Sequence, residues 1–147
     1  MTGVQTCALP ISDIGEGPLR AARRTIARFS VEHVVEARLS DGLSAIQPGE
    51  AEDIVIAGMG GELIARILSS AAWLKCAGVR LVLQPMTMAV RLRVFLRDNG
   101  FAVRREEAVS VGEKRYTVLC AEYAPEAVDR SVLYPYVGAL DLSLIHI

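Results

Sequence analysis

Three short stretches hold residue types whose spacing could do chemistry. The first is Gly58-Met59-Gly60-Gly61, which follows the apolar run Ile54-Val55-Ile56-Ala57 inside DIVIAGMGGELIARIL. Glycines there let the backbone take positive φ and let a ligand approach with no side chain in the way. The second is Asp13, and the third is the pair Asp41-Gly42. A carboxylate accepts hydrogen bonds through both oxygens. At a strand end it can hold the two neighbouring hydroxyls of a ribose, a role open to Asp13. Asp41 could accept from an amino group such as that of adenine. Each signal has a plainer reading. An Asp-Gly dipeptide is most often a turn, and the glycine run could be a bare strand-to-helix connection.

Elements must hold these residues in place. Leu63, Ile64, Ile67, Leu68 and Ala71 recur at helical spacing after the glycines, so strand, turn and helix follow one another, as in α/β ligand sites. The apolar run predicts a strand over Asp53 to Ala57 buried on both faces, and the helix is expected over Gly61 to Lys75. Before it, Pro18 to Phe29 reads as a helix with Leu19, Ala22, Ile26 and Phe29 on one face. Its arginines, Arg20, Arg23, Arg24 and Arg28, read as a solvated surface rather than an RNA contact. Val34 to Leu39 is a short strand and Ile46 to Glu52 a loop. Val79 to Gln84 is a buried strand stopped by Pro85. A helix through Met88, Leu92, Phe95 and Leu96 ends at Asn99-Gly100. Phe101 to Val111 and Lys114 to Tyr123 predict a β-hairpin around Gly112-Glu113. Pro125 ends the sheet, and Val132 to Leu140 reads as a short helix. Strands alternating with helices imply a mostly parallel sheet, made mixed by the hairpin. The candidate loops then fall at strand carboxyl ends, where open α/β sheets bind ligands.

Composition narrows the function. With 147 residues, 52% hydrophobic and 22% charged, the chain fits one globular domain. A net charge of −1 gives no bulk attraction to nucleic acid, so RNA contact needs a local patch. No apolar run approaches the roughly 20 residues that span a membrane. Cys7, Cys76 and Cys120 lack metal-ligand spacing and read as reduced thiols of a cytoplasmic protein, with no metal expected. A dinucleotide dehydrogenase needs G-x-G-x-x-G. Gly58 and Gly60 fit, but Leu63 stands at the third position, and Gln84-Pro85 rather than an acid ends the next strand.

The stretches EGPLRAAR, LSDGL, DIVIAGMGGELIARIL, RLVLQP, LRDNGF and EKRYTVLCAEY together resemble the bacterial tRNA (adenine(22)-N1)-methyltransferase family, from Asp13 to Asp141. The resemblance implies the class I S-adenosylmethionine-dependent methyltransferase (Rossmann-like) fold. It places Asp13 at the acid ending the second strand, facing the cofactor ribose, and Asp41 and Gly42 beside the adenine. It places Ala57, Gly58, Met59 and Gly60 at the fourth strand's exit, between cofactor and target base. Gln84 and Pro85 match the next exit, where Met86 replaces the family's usual polar residue. S-adenosylmethionine is the implied cofactor and tRNA the implied partner, with no membrane or metal; the oligomeric state is left open.

Both ends depart from the family. MTGVQTCALPIS (1–12) matches no helix or strand template, and with residues 142–147 it resembles translated sequencing-adapter sequence. Residues 13–141 are therefore expected to be a partial methyltransferase domain. It would lack the first strand, the first cofactor loop, most of the second strand and the C-terminal helical extension. Such a fragment is expected to be inactive while its parent methylates N1 of an adenine in tRNA. No catalytic base is identified; Glu62 reads as first-turn helix charge. Two alternatives stand: a noncatalytic RNA- or protein-binding α/β module, and a class I methyltransferase with another substrate.

Overall fold

The structure is a computed structural model that describes residues 9–76 and 78–139. The chain forms two units, Met1–Ala51 and Glu52–Ile147. Their strands belong to two separate hydrogen-bonded sheets.

In the first unit, β1 (Leu9–Asp13), α1 (Glu16–Arg28) and β2 (Val35–Leu39) make a β-α-β unit. The two strands run parallel, from Leu9 opposite Val35 to Asp13 opposite Leu39. Leu19 and Ile26 of α1 are buried, as are Leu43 and Ile46 beyond β2. α1 begins two residues before the expected Pro18, with Gly15 as its cap. Strand β1 corrects the expectation that residues 1–12 hold no strand. Its apolar side chains do not announce it: Leu9 and Ile11 are exposed, and Pro10 cannot donate to a ladder. Backbone pairing with β2, a partner remote in sequence, makes it a strand.

The second unit contains β3 (Asp53–Gly60), α2 (Gly61–Ser70), a 3-10 turn (Ala72–Lys75), β4 (Arg80–Thr87) and α3 (Ala89–Asp98). The hairpin β5 (Phe101–Val111) and β6 (Lys114–Tyr123) follows, then a 3-10 turn (Pro125–Ala127) and α4 (Tyr134–Val137). The sheet order is β3-β4-β6-β5, with β3 and β4 parallel and the other pairs antiparallel. The hairpin closes at Val111 opposite Lys114, and Gly112 takes φ 60° in its tight turn. The expected mixed sheet ending in an antiparallel hairpin is observed, but only one of its three pairings is parallel, so it is not mostly parallel, and β1 and β2 pair in a sheet of their own.

One face of this sheet is the core. Ile54, Ile56, Leu81, Leu83, Leu119 and Ala121 lie buried with Ile64, Ile67 and Leu68 of α2 and Leu92 and Leu96 of α3. The alternation along a strand sends the next residue outward. Val55 is accordingly 69% exposed, so β3 is not buried on both faces as its apolar run suggested. Both helices cover the same side. Other boundaries also shift. The helix expected to reach Lys75 stops at Ser70. There the hydroxyls of Ser69 and Ser70 donate to the carbonyls of Arg66 and Ile67 and compete with the helical ladder. The segment after Val132 forms only one helical turn, and Leu140 lies outside the described residues. Strand β4 continues past Pro85 to Thr87. Its pairing with β6 ends at Leu83, so the proline's missing N–H removes no bond on that side.

Candidate active site

In the first unit the acid of β1 and the loop after β2 come together. Asp13 is the last residue of β1, and its Oδ1 accepts from the backbone N–H of Gly15 at 2.7 Å. That bond closes the turn into α1 and fixes the carboxylate. Its other oxygen makes no hydrogen bond within the described chain. The backbone of Asp13 accepts from Ser40 N at 3.0 Å. The carbonyl of Gly42 accepts from Ser12 Oγ at 3.3 Å and Ser40 Oγ at 3.0 Å, pinning the Asp41-Gly42 loop beside the β1 exit. Ser40 is buried, also accepts from Ala45 N, and is the hub of the loop. Gly42 itself has φ 58°, a conformation that favours glycine. Asp41 is exposed, with a carboxylate that makes no hydrogen bond to the described chain. Two acceptor-only groups, one anchored and one free, suit a ligand that donates from hydroxyl and amino groups.

In the second unit the glycine run is an irregular strand end rather than a turn beyond a strand. Ala57 stands opposite Gln84, Met59 opposite Pro85 and Gly60 opposite Thr87, with register shifts on either side of Met59. Gly58 takes φ 76° and has no partner in that ladder. Its N–H instead donates to Gln84 Oε1 at 2.9 Å. Ala57 and Gly58 are exposed, while Met59 and Gly60 are half-buried. Gly61, the first residue of α2, is buried so closely against α3 that an added Cβ would overlap the carbonyl of Met88. The exits of β3 and β4 are thus held together by close backbone approach, and the surface they present carries few side chains.

The opposite ends of these strands are closed by charge. Arg80 pairs with Asp53 through Nε at 2.6 Å and Nη2 at 2.8 Å, and the guanidinium holds the Asp53 carboxyl below its usual range. Glu62 is exposed in the first turn of α2 and lies 3.8 Å from Arg91 Nε, a partner that the periodicity did not indicate. Among the described residues there is no group of three or more His, Cys, Asp or Glu side chains able to hold a metal ion. Gln84 and Ser40 are the residues that sequence reasoning left without a role at the strand exits. The string LQP marked the position of Gln84, but only the fold brings it to Gly58.

A parallel β-α-β arrangement with a glycine-rich strand exit defines a Rossmann-like nucleotide-cofactor fold. Residues 5–119 match the family model described as a methyltransferase domain, and the chain belongs to that family. Among curated proteins it is 38% identical over 122 residues to the tRNA (adenine(22)-N(1))-methyltransferase of Bacillus subtilis. The match covers 83% of this chain and 50% of that protein, so the chain spans about half the length of the curated relative. Among solved structures, the Bacillus subtilis m1A22 tRNA methyltransferase TrmK has TM-score 0.75 at 35% identity, covering 92% of this chain and 55% of that one. A Streptococcus pneumoniae protein solved in complex with S-adenosyl-L-methionine has TM-score 0.83 at 32% identity, covering 92% and 63%.

Proposed function

We propose that the protein carrying this domain transfers a methyl group from S-adenosylmethionine to N1 of an adenine in tRNA. The observation that carries this reading is the β3 exit. It is an unobstructed, backbone-lined strand end of glycine and alanine, held against the β4 exit, in a chain 38% identical to a protein named for that reaction.

The roles follow from what each group can bind. Asp13 offers the free oxygen of an anchored carboxylate to the ribose hydroxyls of the cofactor. Asp41 and Gly42 offer an exposed acceptor and a side-chain-free backbone to its adenine. Ala57, Gly58, Met59 and Gly60 provide the surface between the cofactor and the target base. When bound, S-adenosylmethionine supplies an electrophilic methyl group on a positively charged sulfur. Adenine N1 already carries a lone pair, so the protein's work is to align that nitrogen and to exclude competing water. The positive charge passes from the sulfur to the methylated ring, so the transfer itself balances. Later loss of a proton from the exocyclic amino group would neutralise the ring, and no side chain of this domain is assigned to accept it.

We propose in addition that the methyltransferase portion takes in β1 (Leu9–Asp13), whose Ser12 pins the Asp41-Gly42 loop, rather than starting at Asp13, that residues 142–147 play no part in it, and that the protein acts in the cytoplasm. No helix among the described residues is long and apolar enough to cross a membrane.

A filter assay of radiolabelled methyl transfer to bulk tRNA tests the reading. Label in tRNA, with none in DNA or protein substrates, is expected. Label in protein alone would favour another class I methyltransferase. Salt-dependent tRNA binding with no transfer would favour a noncatalytic RNA-binding module.

A further inference from the structure

Gln84 is a positioning residue that holds the β3 exit in the shape a ligand meets, we infer, and this inference rests on the methyl-transfer reading for its purpose. Gly58 is exposed at a register shift where the β3–β4 ladder offers its N–H no carbonyl. The Gln84 carboxamide takes the place of that carbonyl, accepting from Gly58 N at 2.9 Å across 26 residues of sequence. The amide's orientation is determined by its other end. Nε2 donates to the Pro85 carbonyl at 3.2 Å, with Met86 Sδ 3.8 Å away, so Oε1 is the atom turned to Gly58. A flipped amide would set an oxygen against a carbonyl and an NH2 against an N–H, losing both bonds.

The effect reaches the whole run. Gly58 at φ 76° is free to adopt many backbone conformations, and one hydrogen bond selects among them. Ala57 just before it stands opposite Gln84 itself, and Met59 just after it stands opposite Pro85. The side chain therefore ties the one unladdered residue of the exit to the neighbouring strand. Gly60 is the next fixed point, since it stands opposite Thr87 in the ladder. Glutamine suits this task because it is neutral, long enough to reach across strands, and able to accept and donate at once. That accounts physically for LQP accompanying AGMGG in one chain.

The test is amide hydrogen exchange, followed by NMR on the 147-residue chain, for the unaltered protein and for Gln84→Met and Gln84→Glu. Gln84→Met keeps length and removes the acceptor. It is expected to speed exchange at Gly58 about tenfold and to shift the Met59 and Gly60 amides, while Leu81 and Leu83 exchange as before and Tm holds. Gln84→Glu keeps an acceptor but sets its second oxygen against the Pro85 carbonyl, and is expected to protect Gly58 less than glutamine does. Unchanged exchange at Gly58 in Gln84→Met overturns the inference. Exchange needs no cofactor. Failure of the protein carrying this domain, at the length of its relatives, to bind S-adenosylhomocysteine in calorimetry counts against the methyl-transfer reading, while the exchange comparison still decides the role of Gln84.

Discussion

Asp13 and Gly61 show two ways a single residue shapes this fold. The Asp13 carboxylate uses one oxygen on Gly15 N and leaves the other without a hydrogen bond to the described chain. Asp13→Ala is expected to weaken S-adenosylhomocysteine binding by roughly ten- to a hundredfold, the worth of one to two hydrogen bonds to a charged group, as read by calorimetry. An unaltered dissociation constant would remove Asp13 from the cofactor. Gly61 has a different duty. Because a Cβ there would overlap the Met88 backbone, Gly61→Ala must separate α2 from α3. A loss of about 1–3 kcal/mol is expected from such overpacking, measured by urea unfolding. Tyr134 adds a pH signature. Burial, reinforced by the nearby Glu106 charge, pushes its phenol up to about 12. The folded state therefore keeps a proton that the unfolded state loses near the ordinary value, and this contribution to stability is full below pH ~10 and lost as pH rises toward ~12. Ultraviolet titration should show one late tyrosinate that Tyr134→Phe removes.

At the scale of elements, a buried ion pair fastens the last described segment to the sheet. Arg93 of α3 and Glu106 of β5 are both buried and hydrogen-bonded to each other. Arg93 Nη1 also donates to the Pro135 carbonyl at 3.1 Å, and Glu106 Oε2 accepts from Ala139 N at 2.9 Å. Gly138 lies against the carboxylate so closely that a Cβ would overlap it. Removing one partner leaves an uncompensated buried charge, so Glu106→Ala is expected to cost about 3–5 kcal/mol. It should also open residues 134–139 to proteolysis, whereas Arg93→Met combined with Glu106→Leu costs less. A single variant as stable as the unaltered protein would contradict this. None of it was visible in the sequence, where Arg93 is one charge on an apparently amphipathic helix. The hairpin was legible because its signals are local: two extended runs and a Gly-containing turn. Strand β1 and the passage of β4 through Pro85 were not. Each depends on which neighbour supplies hydrogen bonds, and neighbours are set by the fold.

At the scale of the molecule, the glycine-rich strand exit, the two acids and the α/β class were readable because each has a short-range cause. The Gln84–Gly58 bond and the clustering of Ser12, Ser40 and Gly42 were not, because their partners lie 26 and up to 30 residues apart. The described strands form two separate ladders, one carrying Asp13 and the other Gly58. The proposed function gives both a role in one reaction, and the product of that reaction is the most direct test of the proposal. The protein carrying this domain, at the length of its relatives, is incubated with S-adenosylmethionine and unmodified tRNA. The tRNA is then digested and its nucleosides are separated by mass spectrometry. The account predicts 1-methyladenosine, dependent on the protein and diminished in Asp13→Ala. Methylation of any other base or position, or no methylated nucleoside from a folded protein that binds the cofactor, would contradict it.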